Sequence, residues 1–182
     1  SDMKTHWAKD YVNSLYFDGV LTGSTDQSGS LVFRPDDSMT RQEFIVSLIR
    51  YLGVDTASFT SYPLPFADNG QIASWAKAAV QTACALGYVG GSGSGGKLSL
   101  RPDGTISRQE AMTILARSKN LSSDSADATL KPFSDASKVA SWAQPYLAAM
   151  VEKGVISGSN GKLKPTADVT RAEIAKMLDT LG

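Results

Sequence analysis

The sequence predicts an all-α protein in which one two-helix unit is written three times, and two observations carry that prediction. Trp-Ala recurs at Trp7-Ala8, Trp75-Ala76 and Trp142-Ala143, 68 and 67 residues apart, a period that marks a repeat architecture. Thr40-Arg41-Gln42-Glu43, Ser107-Arg108-Gln109-Glu110 and Thr170-Arg171-Ala172-Glu173 each set a hydroxyl residue three places before Glu and ahead of an apolar run. That is the pattern of a reciprocal capping box at a helix N-terminus.

Each unit begins with an acidic lead-in. Phe66-Ala67-Asp68 and Phe133-Ser134-Asp135 place Asp seven residues before Trp, while Asp2 stands five before Trp7 and lacks the Phe, as expected of a fragment trimmed at its start. The first helices are expected over 6–18, 72–86 and 138–153, with Trp7, Tyr11, Val12, Leu15 and Tyr16 on one side of the first. Twelve residues after each Trp comes Gly19, Gly87 or Gly154, and four later Gly23, Gly91 or Gly158. The first of each pair suits a left-handed helix cap, and the constant spacing predicts a first helix of fixed length. Loops of unequal length follow, among them the flexible stretch 92–96, and then Phe33-Arg34-Pro35, Leu100-Arg101-Pro102 and Leu163-Lys164-Pro165. The second helices are expected over 41–52, 108–118 and 171–181. Their apolar stripes are Phe44, Ile45, Leu48, Ile49 and Leu52, then Met112, Leu115 and Ala116, then Ile174, Met177, Leu178 and Leu181. Helices this short need tertiary partners. Segments 53–65 and 120–132 read as linkers, which divides the chain into modules at 1–60, 61–127 and 128–182.

Composition narrows the function. The chain of 182 residues is 42% hydrophobic and has 18 basic and 18 acidic residues, hence no net charge. That balance argues against general affinity for nucleic acid or an anionic membrane surface, and no apolar run approaches a membrane-spanning length. An enzyme reading is poorly supported. His6 is the single histidine and belongs to one repeat only, Cys84 is the single cysteine and reads as a small buried apolar residue, and Asp103-Gly104 lacks the alternating oxygen ligands of a calcium loop. No cofactor or metal site is expected, and no repeated carboxylate pair suggests a glycosidase.

In one order, three times, the chain carries Phe-x-Asp, Trp-Ala, Gly-Val-x-x-Gly, apolar-x-Pro and Thr-Arg-Ala-Glu motifs or close variants of them, with the first Phe missing. This set resembles tandem surface-layer homology modules, the wall-anchoring repeats of bacterial S-layer and cell-surface proteins. The resemblance implies a pseudo-threefold helical bundle whose inter-module grooves bind secondary cell-wall polysaccharide, often with a pyruvate ketal on N-acetylmannosamine, and it implies an extracellular location. It names the Arg of the Thr-Arg-Ala-Glu motif as a principal ligand contact. Two departures stand out: the loops 24–30, 92–96 and 159–161 replace the usual Gly-Tyr-Pro-Asp-Gly, and Gln42 and Gln109 replace Ala. Three competent pockets, not necessarily of equal affinity, are expected.

The candidate residues follow. Arg41, Arg108 and Arg171 stand at the first helical position, where capping does not account for them; each could share an anion with the exposed N–H groups of the first turn, and the guanidinium fork suits a carboxylate. Trp7, Trp75 and Trp142 could stack on sugar rings, but a core role between modules is the favoured expectation. Asp2, Asp68 and Asp135 are expected to cap or orient the start of the first helix, with bonds to sugar hydroxyls as a second role. Gly23, Gly91 and Gly158 could admit a ligand close to the backbone, or serve turn geometry alone. The alternative function is a protein assembly module whose grooves take acidic side chains, with surface-layer self-assembly through regions outside this segment; a wall-active hydrolase is a third and weaker reading.

Overall fold

The computed structural model describes residues 2–93 and 97–182, so part of the expected flexible stretch, 94–96, lies outside the described residues. Its helices are α1 (Lys9–Phe17), α2 (Arg41–Tyr51), α3 (Ser74–Ala85), α4 (Arg108–Ser118), α5 (Ala126–Leu130), α6 (Gln144–Glu152) and α7 (Arg171–Leu181); a two-stranded hairpin pairs β1 (Ser24–Thr25) with β2 (Leu31–Val32). The all-α expectation holds.

The second helices of the repeats, α2, α4 and α7, start where the capping boxes place them. Glu43 Oε2 accepts from the Thr40 N–H at 2.8 Å, Glu110 Oε2 from Ser107 at 2.9 Å, and Glu173 Oε2 from Thr170 at 3.1 Å. The first helices depart from expectation. Their lengths are 9, 12 and 9 residues. In the first and third repeats the chain winds through tight turns and becomes α-helical only after Trp7 and Trp142, with Pro145 in the first turn of α6. The helix ends keep the constant spacing because Gly19, Gly87 and Gly154 take φ of 70°, 75° and 71°, the left-handed conformation that terminates a helix at little steric cost.

Packing runs between repeats. α2 lies on α3, α4 on α6, and α7 returns to α1, so each second helix covers the first helix of the next repeat and the third closes on the first. The apolar stripes meet there, with Phe44, Leu48, Met112, Leu115, Leu147, Met150, Ile174 and Leu178 at 0% exposure. At the centre a triangle of backbone bonds marks the pseudo-threefold axis. The Ile106 N–H donates to Met39 O at 3.1 Å, Val169 to Ile106 O at 3.0 Å, and Met39 to Val169 O at 3.2 Å.

The expected linkers are partly structured. A 3-10 turn forms at Ala57–Phe59, and Gln81 Nε2 donates to Thr60 O and Tyr62 O at 2.6 and 3.0 Å, holding that segment on α3. The second contains α5, whose Leu130 is buried, while Ser123 Oγ and Thr129 Oγ1 donate to Glu152 of α6 at 2.6 and 2.7 Å. Among the described residues no helix is long and apolar enough to cross a membrane.

Candidate functional site

Three grooves repeat around the axis, and each draws on all three repeats. The first is lined by Arg41 of the first repeat, Gly91, Glu110, Thr113 and Arg117 of the second, and Trp142 of the third, with a volume of about 450 Å³. The second, about 220 Å³, combines Arg108, then Gly158, Glu173 and Lys176, then Trp7. The third, about 300 Å³, combines Arg171, then Thr22, Glu43 and Arg50, then Trp75.

The Trp side chains correct the sequence reading, since they are not core anchors. Trp7, Trp75 and Trp142 are 56%, 58% and 48% exposed, whereas the Ala that follows each is wholly buried. The first helices pack closely enough on the neighbouring repeat that only the small member of Trp-Ala fits inside, and the indole is left at a groove mouth. Tyr16, placed with Trp7 on the expected core side of the first helix, is also 47% exposed.

The Arg side chains acquire duties that capping does not predict. Arg41 Nη2 reaches Glu110 Oε1 at 2.9 Å, and Arg108 Nη1 reaches Glu173 Oε1 at 2.8 Å, so each joins the capping carboxylate of the next repeat. Arg108 Nε also donates to Leu163 O at 3.0 Å. Arg171 donates from Nε to Phe33 O and from Nη2 to Thr22 O, both at 2.8 Å, with its guanidinium 4.6 Å from the Phe33 ring centre. Burial pulls the Arg171 pKa below its ordinary value, against the opposing charges of Glu43 and Asp37.

The first-turn N–H groups are not open to an anion. Arg41 and Gln42 donate to Gly104 O and Pro102 O at 2.9 and 3.0 Å, Arg108 and Gln109 to Ala167 O and Pro165 O at 2.9 Å each, and Arg171 and Ala172 to Asp37 O and Pro35 O at 3.0 and 2.9 Å. Each helix N-terminus is therefore capped by the Pro-containing loop of another repeat, and these first-turn N–H groups are not available to an anion in a groove.

The three Asp residues do not cap the first helices. Asp2 accepts from Phe33 N at 3.0 Å and Arg34 N at 2.6 Å, Asp68 from Leu100 and Arg101 at 2.8 and 2.7 Å, and Asp135 from Leu163 and Lys164 at 2.8 Å each. The clamped basic residues Arg34, Arg101 and Lys164 all have left-handed φ of 53–56°, a conformation costly for a residue with a Cβ. The carboxylate pair of bonds holds that bend, which delivers the groove loop to the next helix.

The glycines serve tight packing. A Cβ on Gly91 would sit 2.6 Å from Phe66 Cε1, one on Gly158 2.8 Å from Phe133 Cε1, and one on Gly23 2.8 Å from Val32 O. Gly91 and Gly158 line the first and second grooves; Gly23 lines a separate apolar hollow with Leu31 and Phe33, and its neighbour Thr22 reaches the third groove instead. His6 is largely covered: its Nε2 lies 3.2 Å from Asp36, and its Nδ1 accepts from Ala8 N at 3.2 Å. Cys84 is buried, and desolvation pushes its thiol up to about 11.

Two residues escaped the sequence reading as contacts. Gln42 and Gln109 accept from the N–H groups of Ala73 and Ala140, both at 3.0 Å, and so cap the lead-in of the next repeat's first helix; Gln42 also donates to Asp103. Their appearance where the family pattern has Ala was the available signal.

The S-layer homology domain family model matches the chain at residues 1–45, 65–112 and 132–175. Over 93% of its length the chain is 31% identical to the surface-layer 125 kDa protein of Lysinibacillus sphaericus. Over 98% it is 30% identical to an endoglucanase of Bacillus sp. (strain KSM-635) and 26% identical to an amylopullulanase of Thermoanaerobacterium thermosulfurigenes. The chain spans 13%, 18% and 9% of the lengths of these three relatives, respectively.

Proposed function

The chain belongs to the S-layer homology family, and on that premise we propose that its three grooves attach a larger protein to the cell wall by binding an acidic secondary cell-wall polysaccharide. Domains of this family anchor proteins to the cell wall, which makes the chain a cell-surface, cell-wall-associated segment. The finer reading concerns the ligand. The observation that carries it is the repeated pairing, in each groove, of a mostly covered guanidinium with a half-exposed indole from a different repeat. An indole face offers a flat apolar platform for a sugar ring, and a guanidinium offers charge-assisted bonds to a carboxylate. A pyruvate ketal on N-acetylmannosamine joins both chemistries in one residue. Binding needs no excess of basic charge on the whole chain, in keeping with its neutral balance.

The segment contributes attachment, and the hydrolytic activities named for some relatives belong to other parts of those proteins on this reading. Calorimetry with purified wall polysaccharide, before and after chemical removal of the ketal, tests it. Affinity should fall at least tenfold on removal; equal affinity for both polymers would refute the role given to Arg. Retention on protein-free cell walls separates glycan attachment from an assembly module, which would leave the protein in solution.

A further inference from the structure

The three grooves share a plan but not their hydrogen-bonding state. Arg108 and Arg171 each spend Nε on a backbone carbonyl of the neighbouring repeat, Leu163 O and Phe33 O. Leu100 holds the corresponding place for Arg41, but Arg41 makes no such bond. Its Nη2 is engaged with Glu110, while Nε and Nη1 are buried without any partner, in a residue only 6% exposed. That leaves one N–H on Nε and two on Nη1 unsatisfied.

Thr113 adds a second orphan in the same groove. Its Oγ1 is buried and unpartnered, and the residue is 2% exposed. Hydroxyls elsewhere in these helices turn back to their own backbone: Ser47 donates to Glu43 O, Thr82 to Ala78 O and Thr180 to Lys176 O. Thr113 does not. It stands three residues beyond Glu110 and four before Arg117, so the three side chains follow one face of α4, the face that lines the groove. Of the four buried, unpartnered side-chain polar atoms among the described residues, three therefore belong to residues that line the first groove. Leaving such atoms unmet costs free energy in the unliganded protein, and a ligand that meets them recovers it.

Charge does not decide the ranking of the grooves, since the second sets Arg108, Lys162, Lys164 and Lys176 against the single carboxylate of Glu173. Glu110 Oε1 is shared by Arg41 at 2.9 Å and Arg101 at 3.0 Å, so one carboxylate faces two guanidinium groups, and Arg117 lies further along the wall. In the second groove Glu173 pairs with Arg108 at 2.8 Å. The position of Thr113 is Val46 in α2 and Lys176 in α7, so neither of the other grooves can present a hydroxyl there.

We propose that the groove between the first and second repeats is the dominant acidic-sugar site, and that Arg41 and Thr113 together form its recognition pair. The carboxylate takes N–H donors of Arg41, a hydroxyl or carbonyl of the same sugar meets Thr113 Oγ1, and Trp142 covers the ring. This rests on the reading of the grooves as sites for an acidic sugar, and adds a ranking among them and a residue that sets it.

The tryptophans permit a test, because each marks one groove. The protein labelled with 5-fluorotryptophan is titrated with the methyl glycoside of pyruvate-ketal N-acetylmannosamine and followed by fluorine NMR, with signals assigned from single Trp→Phe variants. The Trp142 resonance should saturate at a probe concentration at least tenfold below those of Trp7 and Trp75. Thr113→Val, which places in α4 the residue that α2 already carries at this position, should weaken the Trp142 response about tenfold, leave the other two titrations unmoved and keep the melting temperature. Earlier saturation at Trp7 or Trp75, simultaneous saturation of all three, or an unchanged response in Thr113→Val would overturn the ranking and leave the acidic-sugar reading standing. Equal shifts with the ketal-free glycoside, or no shift with either probe, would remove that reading and the ranking with it.

Discussion

Arg41 and Glu110 lie 69 residues apart in sequence and 2.9 Å apart in space, and the carboxylate that receives Arg41 also caps the helix of the next repeat. Their side chains are 8% and 17% exposed, against 12% and 35% for Arg108 and Glu173. Glu→Gln keeps a capping-box residue while removing the charge. Glu110→Gln should therefore cost about 3 kcal/mol, since it leaves a buried guanidinium uncompensated, and Glu173→Gln about 1 kcal/mol or less, as for a more exposed pair. Urea unfolding of the two variants checks the order; equal losses would contradict it.

The Asp clamps predict acid sensitivity with a definite sign. At Asp2, Asp68 and Asp135 burial alone would raise the pKa, but two backbone N–H bonds from the clamped segment outweigh it and hold each carboxyl below the ordinary range. The unfolded chain then takes up protons first as pH falls. The stabilisation is fully present above the unfolded Asp value of about 4 and disappears as pH drops through the lowered folded values. Unfolding midpoints measured between neutral pH and about pH 3 should fall in that window, and Asp135→Asn should be less stable at neutral pH and show a shallower decline.

Trp7, Trp75 and Trp142 should behave as surface residues in the free protein. Emission should lie toward the red and be quenched by iodide, with protection on binding wall polysaccharide. Each Trp→Ala substitution should change stability by about 0.5 kcal/mol or less, the usual range for surface sites, whereas a core Trp would cost about 3–5 kcal/mol.

Glycine substitutions separate backbone strain from crowding. Gly19→Ala meets open space but keeps a φ of 70°, so its cost should be about 1 kcal/mol. Gly91→Ala adds a clash with Phe66 at 2.6 Å to a φ of 69°, and should exceed that cost by about 1–3 kcal/mol. Thermal unfolding measures both, and equal melting temperatures would show that the Phe66 contact yields freely.

What the sequence revealed was whatever depends on neighbours in sequence. Thr40, Ser107 and Thr170 with their Glu partners set the helix starts, and the stripes such as Ile174, Met177 and Leu178 set the buried faces, because caps and periodicity act within a few residues. Residues whose partners lie far along the chain, in the same repeat or in another, were misread or left unexplained. Asp68 looks like a local cap until Leu100 and Arg101 are seen to bend over it, and Trp75 looks like a core anchor until α2 is seen to press on Ala76. Arg41 looks free until Glu110 arrives from the next repeat. Which repeat packs on which is a long-range choice, and the repeated Ala after each Trp was its one local trace.

The triangle formed by Met39, Ile106 and Val169 also has a mechanical meaning for an anchor. α1 and α7, near the two ends of the described chain, lie against each other, so tension applied through either end reaches the seam where the hoop was fastened. Trp7 and Arg171, on the two sides of that seam, open into different grooves. A polymer seated in both would act as a buckle across the fastening, and the wall being gripped would itself reinforce the protein that grips it.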